Sequence, residues 1–165
     1  MLENIMDRRS IRKYTSEYVS ESDIRTILEC AMLAPSAKDR RPWSFVVVDD
    51  RAVLDKICAT QPFASSLRTA PVCICVCGVE SDIPGYYQQD CAAATMNILT
   101  AAKELGLGTC WMGVAPRKER MDAVHEILGV PENICPFCLI ALGHPDEERP
   151  RPERWDETLV HRNRW

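Results

Sequence analysis

The sequence predicts a single globular domain in which helices cover both faces of a central sheet. Its 165 residues, 46% of them hydrophobic, are enough for a core that buries roughly two-thirds of the surface of the unfolded chain. The apolar residues at 24, 27, 28, 31 and 32 follow the spacing of one helical face. Residues 72–77 are apolar at every position, which is typical of a strand in the middle of a sheet that is covered on both faces.

In the first half of the chain, capping and breaking residues separate the elements. Ser20 and Ser22 are N-cap candidates for the helix that carries the apolar face. Pro35 ends this helix, because the residue before a proline is pushed out of the α region. The elements expected in this half are a helix at 2–7, the helix through Met32, a strand at 43–48, short helices at 51–59 and 63–69, and the strand at 72–77.

The second half is organised around a long helix whose apolar residues lie on nearly its whole circumference. This helix is expected from 87 to 105 and ends at Gly106, since glycine tolerates the left-handed cap conformation. A helix that is apolar on most sides must be buried on most sides, so we expect it to lie in a subunit interface. The other elements expected here are a turn at 82–85, strands at 109–114 and 138–143, a helix at 117–128, and an aperiodic tail at 144–165.

Composition and charge exclude several function classes. The net charge is −4 and the acidic residues are scattered, which argues against binding to nucleic acid. No stretch approaches the roughly 18 consecutive apolar residues that cross a bilayer, and the first ten residues lack the apolar core of a signal peptide. We therefore expect a soluble, cytoplasmic protein without membrane contact. The nine cysteines are odd in number and several lie in apolar runs, which argues against a disulfide scaffold.

A basic segment near the start of the chain is a candidate anion site. The segment contains Arg8, Arg9 and Arg12 together with Ser10. These groups can hold a phosphate monoester through charge-assisted hydrogen bonds, and a solvated run of charge is the alternative. A second basic group converges on the same anion if the tail folds back; its members are Arg149, Arg151 and Arg154.

The loop from Ala34 to Trp43 is the second candidate site. Between a helix and a strand it offers a hydroxyl, a carboxylate, an ammonium and two guanidinium groups. Loops of this composition often hold a site, and a plain solvated connection is the alternative.

Other motifs carry less weight. No G-x-G-x-x-G follows a strand, so a Rossmann-type dinucleotide site is not expected. Cys135 and Cys138 form a C-x-x-C that suits a redox pair or half of a metal site, but their position beside an apolar strand favours structural thiols. The three histidines have no metal-ligand spacing, so no metal is expected. Among the histidines, His144 is a candidate site residue because it directly follows a strand. No Ser/His/Asp set supports hydrolysis.

Five segments of the chain together carry a family resemblance. They are RRSIRKY at 8–14, APS through PW at 34–43, GLGTCW at 106–111, GHP at 143–145 and HRNRW at 161–165. In this order they resemble the short, compact branch of the nitroreductase family of FMN-dependent oxidoreductases. The resemblance implies an α+β fold, with a central and mainly antiparallel sheet wrapped by helices. It also implies a single domain over 1–165 in an intertwined homodimer, with residues 144–165 as a C-terminal extension that reaches the partner subunit.

The resemblance further implies a site for FMN at the dimer interface. The phosphate and ribityl end would be held by Arg8, Arg9, Ser10 and Arg12, with Arg149 and Arg151 closing on the phosphate. The flavin would be lined from the other subunit by Pro35, Ser36, Ala37 and Asp39. The ring system would pack against Trp111, Met112 and Gly113.

The activity that the resemblance implies is an FMN-dependent transfer of a hydride from NADH or NADPH to a nitro compound, a quinone or a related small-molecule acceptor. Both substrates would use the same flavin face in turn, which gives ping-pong kinetics. The flavin carries the chemistry, so we nominate no side chain as acid, base or nucleophile.

Two residues depart from the family pattern, which usually has asparagine at Asp39 and often glutamine at Arg41. An ionised carboxylate accepts hydrogen bonds but cannot donate them. Its charge also disfavours a flavin that becomes anionic on reduction, unless a neighbouring cation neutralises it. The departure at Asp39 motivates one alternative, a flavin-binding or redox-sensing protein with little turnover. Two others stay open: a specialised flavin dehalogenase or dehydrogenase, for whose usual lid only a short connection near 79–88 is available, and a thiol redox protein that uses Cys135 and Cys138.

Overall fold

The chain folds around a four-stranded antiparallel sheet in a computed structural model that describes residues 2–80 and 85–165. The strands are β1 (Trp43–Val48), β2 (Val72–Gly78), β3 (Gly108–Gly113) and β4 (Cys135–Gly143), and they lie in the order β1-β2-β4-β3. The helices are α1 (Leu2–Asp7), α2 (Glu21–Met32), α3 (Arg51–Thr60), α4 (Tyr86–Glu104) and α5 (Lys118–Leu128). The prediction of an α+β fold with an antiparallel sheet is confirmed.

The two central strands are buried because helices cover both faces of the sheet. All residues of β2 are buried. Its even-numbered residues from 72 to 76 pack in a cluster with α2 and α4, and its odd-numbered residues from 73 to 77 pack in a second cluster with α3 and α5. This alternation follows from the period of two of a strand. The prediction that 72–77 is a central strand is confirmed.

Helix α4 packs against α2 and the sheet. The Nδ2 atom of Asn97 donates a hydrogen bond of 2.8 Å to the carbonyl oxygen of Cys30, which fixes α2 against α4. Helix α2 begins as expected, since the Ser20 hydroxyl accepts from the amide of Asp23 at 3.1 Å. Met96 on α4 is 41% exposed, so a part of this helix stays uncovered in the single chain. Its burial in a subunit interface stays a prediction.

Two predicted elements differ from those observed. The helix expected at 63–69 is a short 3₁₀ turn over Ser65–Arg68, in which Leu67 donates to the carbonyl of Ala64, three positions earlier. Strand β4 begins at Cys135 rather than at 138. It continues through Pro136, because the register shifts beside Cys77 and an irregular ladder tolerates a proline.

Outside the sheet, the sequence predicts a turn at 82–85 and an aperiodic tail at 144–165. Of the turn expected at 82–85, residues 82–84 lie outside the described residues. Residues 148–165 are all exposed and contain one 3₁₀ turn, Glu157–Leu159.

Among the residues that the structure describes, no helix has both the length and the apolar character to cross a membrane.

Candidate functional site

A cleft of about 660 Å³ lies between the end of α1, the start of β3 and the chain that follows β4. Four of the predicted phosphate ligands line it, and they are Arg8, Arg9, Arg149 and Arg151. Lys103 at the end of α4 adds a fifth cation to its wall. The structure therefore brings the two ends of the chain together around one basic cleft.

Arg8 experiences the repulsion of other cations in this cleft. Its side chain is half-buried. Burial lowers the pKa of Arg8, and the guanidinium groups of Arg9 and Arg154 lower it further. The part of the tail that carries Arg151 and Arg154 thus approaches the first basic segment. An anion bound among these groups would relieve the repulsion, because a nearby opposite charge favours the charged form of each arginine.

Arg9 also caps the short helix α1. Its Nη1 atom donates to the carbonyl oxygen of Arg8 at 2.6 Å, and its Nη2 atom donates to that of Met6. Basic side chains commonly satisfy the last carbonyls of a helix in this way. In the described part of the chain the Nε atom of Arg9 is buried and has no hydrogen-bond partner, so its capacity to donate is unmet.

Carboxylates also line the cleft. Arg149 pairs with Glu147 at 2.8 Å, and Arg151 lies 3.9 Å from Asp7. The Glu147 side chain is only 14% exposed. It accepts a hydrogen bond of 2.6 Å from the backbone amide of Arg12, and this bond, together with Arg149, lowers the pKa of Glu147. A phosphate in the cleft would therefore share Arg149 with an ionised Glu147.

Ser10 and Arg12 are not among the residues that line the cleft. They lie on the same segment where it runs along the outer edge of β3. Ser10 forms a parallel bridge with Thr109, and the amide of Ile11 donates to the carbonyl of Thr109 at 2.9 Å. This approach requires glycine at 108, because a Cβ there would lie 2.9 Å from the Cβ of Ile11.

The three predicted ring-packing residues differ in exposure. Trp111 is half-buried and makes an edge contact with Phe137, with 5.8 Å between ring centroids. Met112 is 6% exposed and packs on the opposite face of the sheet, where the Ser66 hydroxyl lies 3.2 Å from its sulfur. Gly113 is exposed. Because the carbonyl of Thr109 faces outward to Ile11, the alternation of an antiparallel strand turns the backbones of Trp111 and Gly113 outward and that of Met112 toward β4. On the outer side of this edge strand, the carbonyl of Gly113 accepts from Arg120 at 3.0 Å.

The loop between α2 and β1 is held by hydrogen bonds to side chains. The amide of Ala37 donates to Oδ1 of Asp90 on α4 at 2.9 Å, and the amide of Arg41 donates to the Ser36 hydroxyl at 2.9 Å. Asp90 is only 7% exposed. Sequence reasoning missed it, although an acidic residue inside an otherwise apolar helix was a usable signal.

Within this loop, Asp39 and Arg41 form a bidentate ion pair. Nε and Nη2 of Arg41 each lie 2.7 Å from a carboxylate oxygen of Asp39. The Arg41 guanidinium lowers the pKa of Asp39. Both residues have left-handed backbones, with φ of 53° and 49°, which the hydrogen bonds of the loop help to hold. Arg41 is thus the neighbouring cation that neutralises Asp39.

The arginine cleft and the loop lie far apart in one chain. The loop leads into β1 and the cleft flanks β3, and these strands form opposite edges of the sheet. The loop contacts α4 at Asp90, whereas the cleft contacts α4 at Lys103. At 1.5 Å per residue these positions are about 20 Å apart along the helix. A single chain therefore does not bring the two predicted halves of the site together.

Comparison with known proteins identifies the family of this chain. The Nitroreductase family model matches residues 5–61 and 59–144. A protein of Archaeoglobus fulgidus, provisionally named NADH dehydrogenase/NAD(P)H nitroreductase, is 44% identical and aligns over 99% of this chain and 98% of its own length. The chain belongs to the nitroreductase family.

Two solved structures place this nitroreductase-family chain among proteins that have been linked to FMN. The FMN-dependent nitroreductase from Clostridium difficile R20291 has a TM-score of 0.94 and 32% identity, with 100% of both chains covered. A protein from Desulfovibrio desulfuricans, provisionally named a nitroreductase and solved in complex with FMN, has a TM-score of 0.85 and 30% identity, with 99% of this chain and 96% of that chain covered.

The remaining candidates of this nitroreductase-family chain are not among the residues that line the cleft. The Nε2 atom of His144 lies 3.3 Å from the carbonyl of Tyr18 and 3.8 Å from Glu17. Cys138 is fully buried, and burial raises its pKa, whereas Cys135 is half-buried. A thiol with a raised pKa is a poor nucleophile, so the structure favours a structural role for Cys138.

Proposed function

We propose that this protein is an FMN-dependent oxidoreductase that uses NADH or NADPH as donor and acts as a homodimer. The family assignment supports an oxidoreductase. The D. desulfuricans relative binds FMN in its solved structure, and the A. fulgidus relative carries NAD(P)H in its provisional name. The observation that carries the proposal is the basic cleft beside β3, where Arg8 lies among cations.

The residues present fit the chemistry of FMN. A phosphate monoester would be held by Arg8 and Arg9, together with Arg149 and Arg151 from the chain that follows β4. The outer edge of β3 continues from Thr109 to Gly113, about 14 Å along the strand. A planar ring system attached to the phosphate through a flexible linker would lie along this edge.

The separation of the two half-sites supports the homodimer. The loop residues Pro35, Ser36, Ala37 and Asp39 lie about 20 Å along α4 from the cleft of the same chain. If they line the same cofactor, they must come from a partner subunit. Each dimer would then contain two equivalent sites, each built from both chains.

The exposed tail fits the same assembly. Trp155, Leu159 and Trp165 are each at least 74% exposed. Large apolar side chains grouped on an exposed segment indicate an interaction surface. We propose that the C-terminal extension, residues 144–165, lines the cleft of its own chain at 147–151 and reaches the partner subunit with its exposed end, which would bury these side chains.

Bound FMN would supply the redox chemistry by accepting a hydride from NAD(P)H and passing it to the acceptor. The residues of this chain would bind and orient the cofactor. Arg41 would hold Asp39 as a neutral pair, so that no uncompensated carboxylate faces the ring. We propose a nitro compound, a quinone or a related molecule as the acceptor, in a ping-pong mechanism that gives parallel initial-rate lines.

The test is the visible spectrum of the purified protein after incubation with FMN, before and after anaerobic addition of NADH or NADPH. We expect flavin bands that bleach, and bands that return when the acceptor is added. Arg8→Gln should weaken FMN binding, while Arg25→Gln, which removes an exposed charge paired with Glu29 on α2, should not. Absence of flavin after incubation would contradict the proposal, and intersecting initial-rate lines would contradict the ping-pong mechanism.

A further inference from the structure

Arg120 is a cation fixed at the end of β3. It lies near the start of α5, and its Nη1 atom donates to the carbonyl oxygen of Gly113 at 3.0 Å. Its Cζ atom lies 5.0 Å from the centroid of the Phe63 ring. Its own carbonyl accepts from Nε2 of Gln61, a residue that is 5% exposed, at 3.1 Å. Both the backbone and the side chain of Arg120 are therefore held.

The charge of Arg120 is not compensated by its described contacts. Gly113 offers a neutral carbonyl and Phe63 a neutral ring. By contrast, Lys118 on the same helix pairs with Asp122 at 2.6 Å. Phe63 is also 71% exposed, and an exposed cation–π contact contributes little to stability. The fold itself therefore does not explain this pair.

Arg120 lies at the opposite end of β3 from the arginine cleft. The cleft is lined by Gly108 and Thr109 at the start of the strand, and Arg120 binds Gly113 at its end. These ends are about 14 Å apart along the strand. A ligand with its phosphate in the cleft and its ring along β3 would thus place the ring near the Arg120 guanidinium.

We propose that Arg120 stabilises the reduced state of the bound flavin and so raises its reduction potential. The inference rests on the proposed function, because it needs FMN at this site. Uptake of two electrons and one proton leaves one negative charge on the ring system. A fixed cation nearby favours the charged form, and it acts more strongly where water is partly excluded.

The test is the midpoint potential of bound FMN, measured by equilibration with a reference dye at pH 7. Arg120→Gln should bind reduced FMN about tenfold more weakly relative to oxidised FMN, which shifts the potential by about 30 mV to more negative values. Arg120→Lys keeps the charge and should have a midpoint potential close to that of the wild type. Lys118→Gln removes a paired charge from the same helix and should leave it unchanged.

The outcomes separate this inference from the proposed function. If the wild-type protein binds no FMN, the proposed function fails. If FMN binds and NAD(P)H reduces it, but Arg120→Gln has the wild-type potential, the role of Arg120 is refuted while the function stands. Equal shifts in Arg120→Gln and Lys118→Gln would refute it too. Should Arg120→Gln not retain FMN, Arg120→Met, which also removes the charge, is measured in its place: a more negative potential supports the inference, and an unchanged potential overturns it.

Discussion

Replacing Asp90 by alanine should loosen the loop that carries Pro35 to Asp39. The Asp90 carboxylate is 7% exposed and accepts from the amide of Ala37 at 2.9 Å. A hydrogen bond to a charged group contributes about 1.5–3 kcal/mol, and its loss leaves a backbone donor without this partner. We therefore expect the free energy of unfolding to fall by about 2 kcal/mol, or Tm by roughly 4–8 °C for a chain of this size.

Urea unfolding followed by circular dichroism measures this change. Asp90→Asn should cost less than Asp90→Ala, because the amide oxygen can still accept from Ala37. Asp122→Ala, which removes an exposed carboxylate on α5, is the control. If Asp90→Ala and Asp122→Ala were equally stable, the reasoning would be refuted. If the loop lines the cofactor, Asp90→Ala should also weaken FMN binding, by up to about tenfold for 1.4 kcal/mol.

Further outcomes are expected from changes elsewhere in the fold. Gly143→Ala should lower the free energy of unfolding by about 1–3 kcal/mol, because its Cβ would lie 2.6 Å from a ring carbon of Pro71. Gly113→Ala should leave the free energy of unfolding unchanged, since no described atom lies within 4 Å of its Cβ. Equal losses of stability for the two variants in a urea titration would contradict this steric reason. Glu147→Gln should reduce the fall in Tm that the wild type shows in acid. The pKa of Glu147 is lowered in the fold, so its contribution to stability is complete above about pH 4.5 and is lost as the pH falls through the folded pKa. A series of thermal melts from pH 3 to pH 6 would show this, and identical profiles for variant and wild type would count against it. Cys135→Ser should retain NAD(P)H oxidation, and loss of this activity with FMN still bound would revive the thiol alternative.

The hydrophobic pattern was sufficient to predict the elements that form the core. Helix α2 and strand β2 follow the apolar spacing because burial on one or both faces decides their structure. The start of β4 was missed because Pro136 locally indicates a strand end. Only the register of β2 and β4, which is a tertiary property, shows that the ladder accommodates it.

The site was predictable in its residue types but not in its contacts. The basic cluster followed from charge spacing, whereas the capping of α1 by Arg9 did not, because a guanidinium serves a carbonyl and a phosphate equally well. The contact between Ala37 and Asp90 joins distant parts of the chain. An acidic residue in an apolar helix marks Asp90 locally, but nothing local identifies Ala37 as its partner. The same holds for Arg120, whose contacts with Gly113 and Phe63 depend on how α5 packs.

The buried thiols of β2 and of the helix packed against it allow unfolding to be measured by chemical labelling. Cys73 and Cys91 are fully buried, and burial raises the pKa of each to about 12. Alkylating reagents attack the thiolate, so these side chains should stay unlabelled while the sheet is intact. Each molecule that opens should gain several labels at once, and the mass spectrum of a labelled sample would then count folded and unfolded molecules directly.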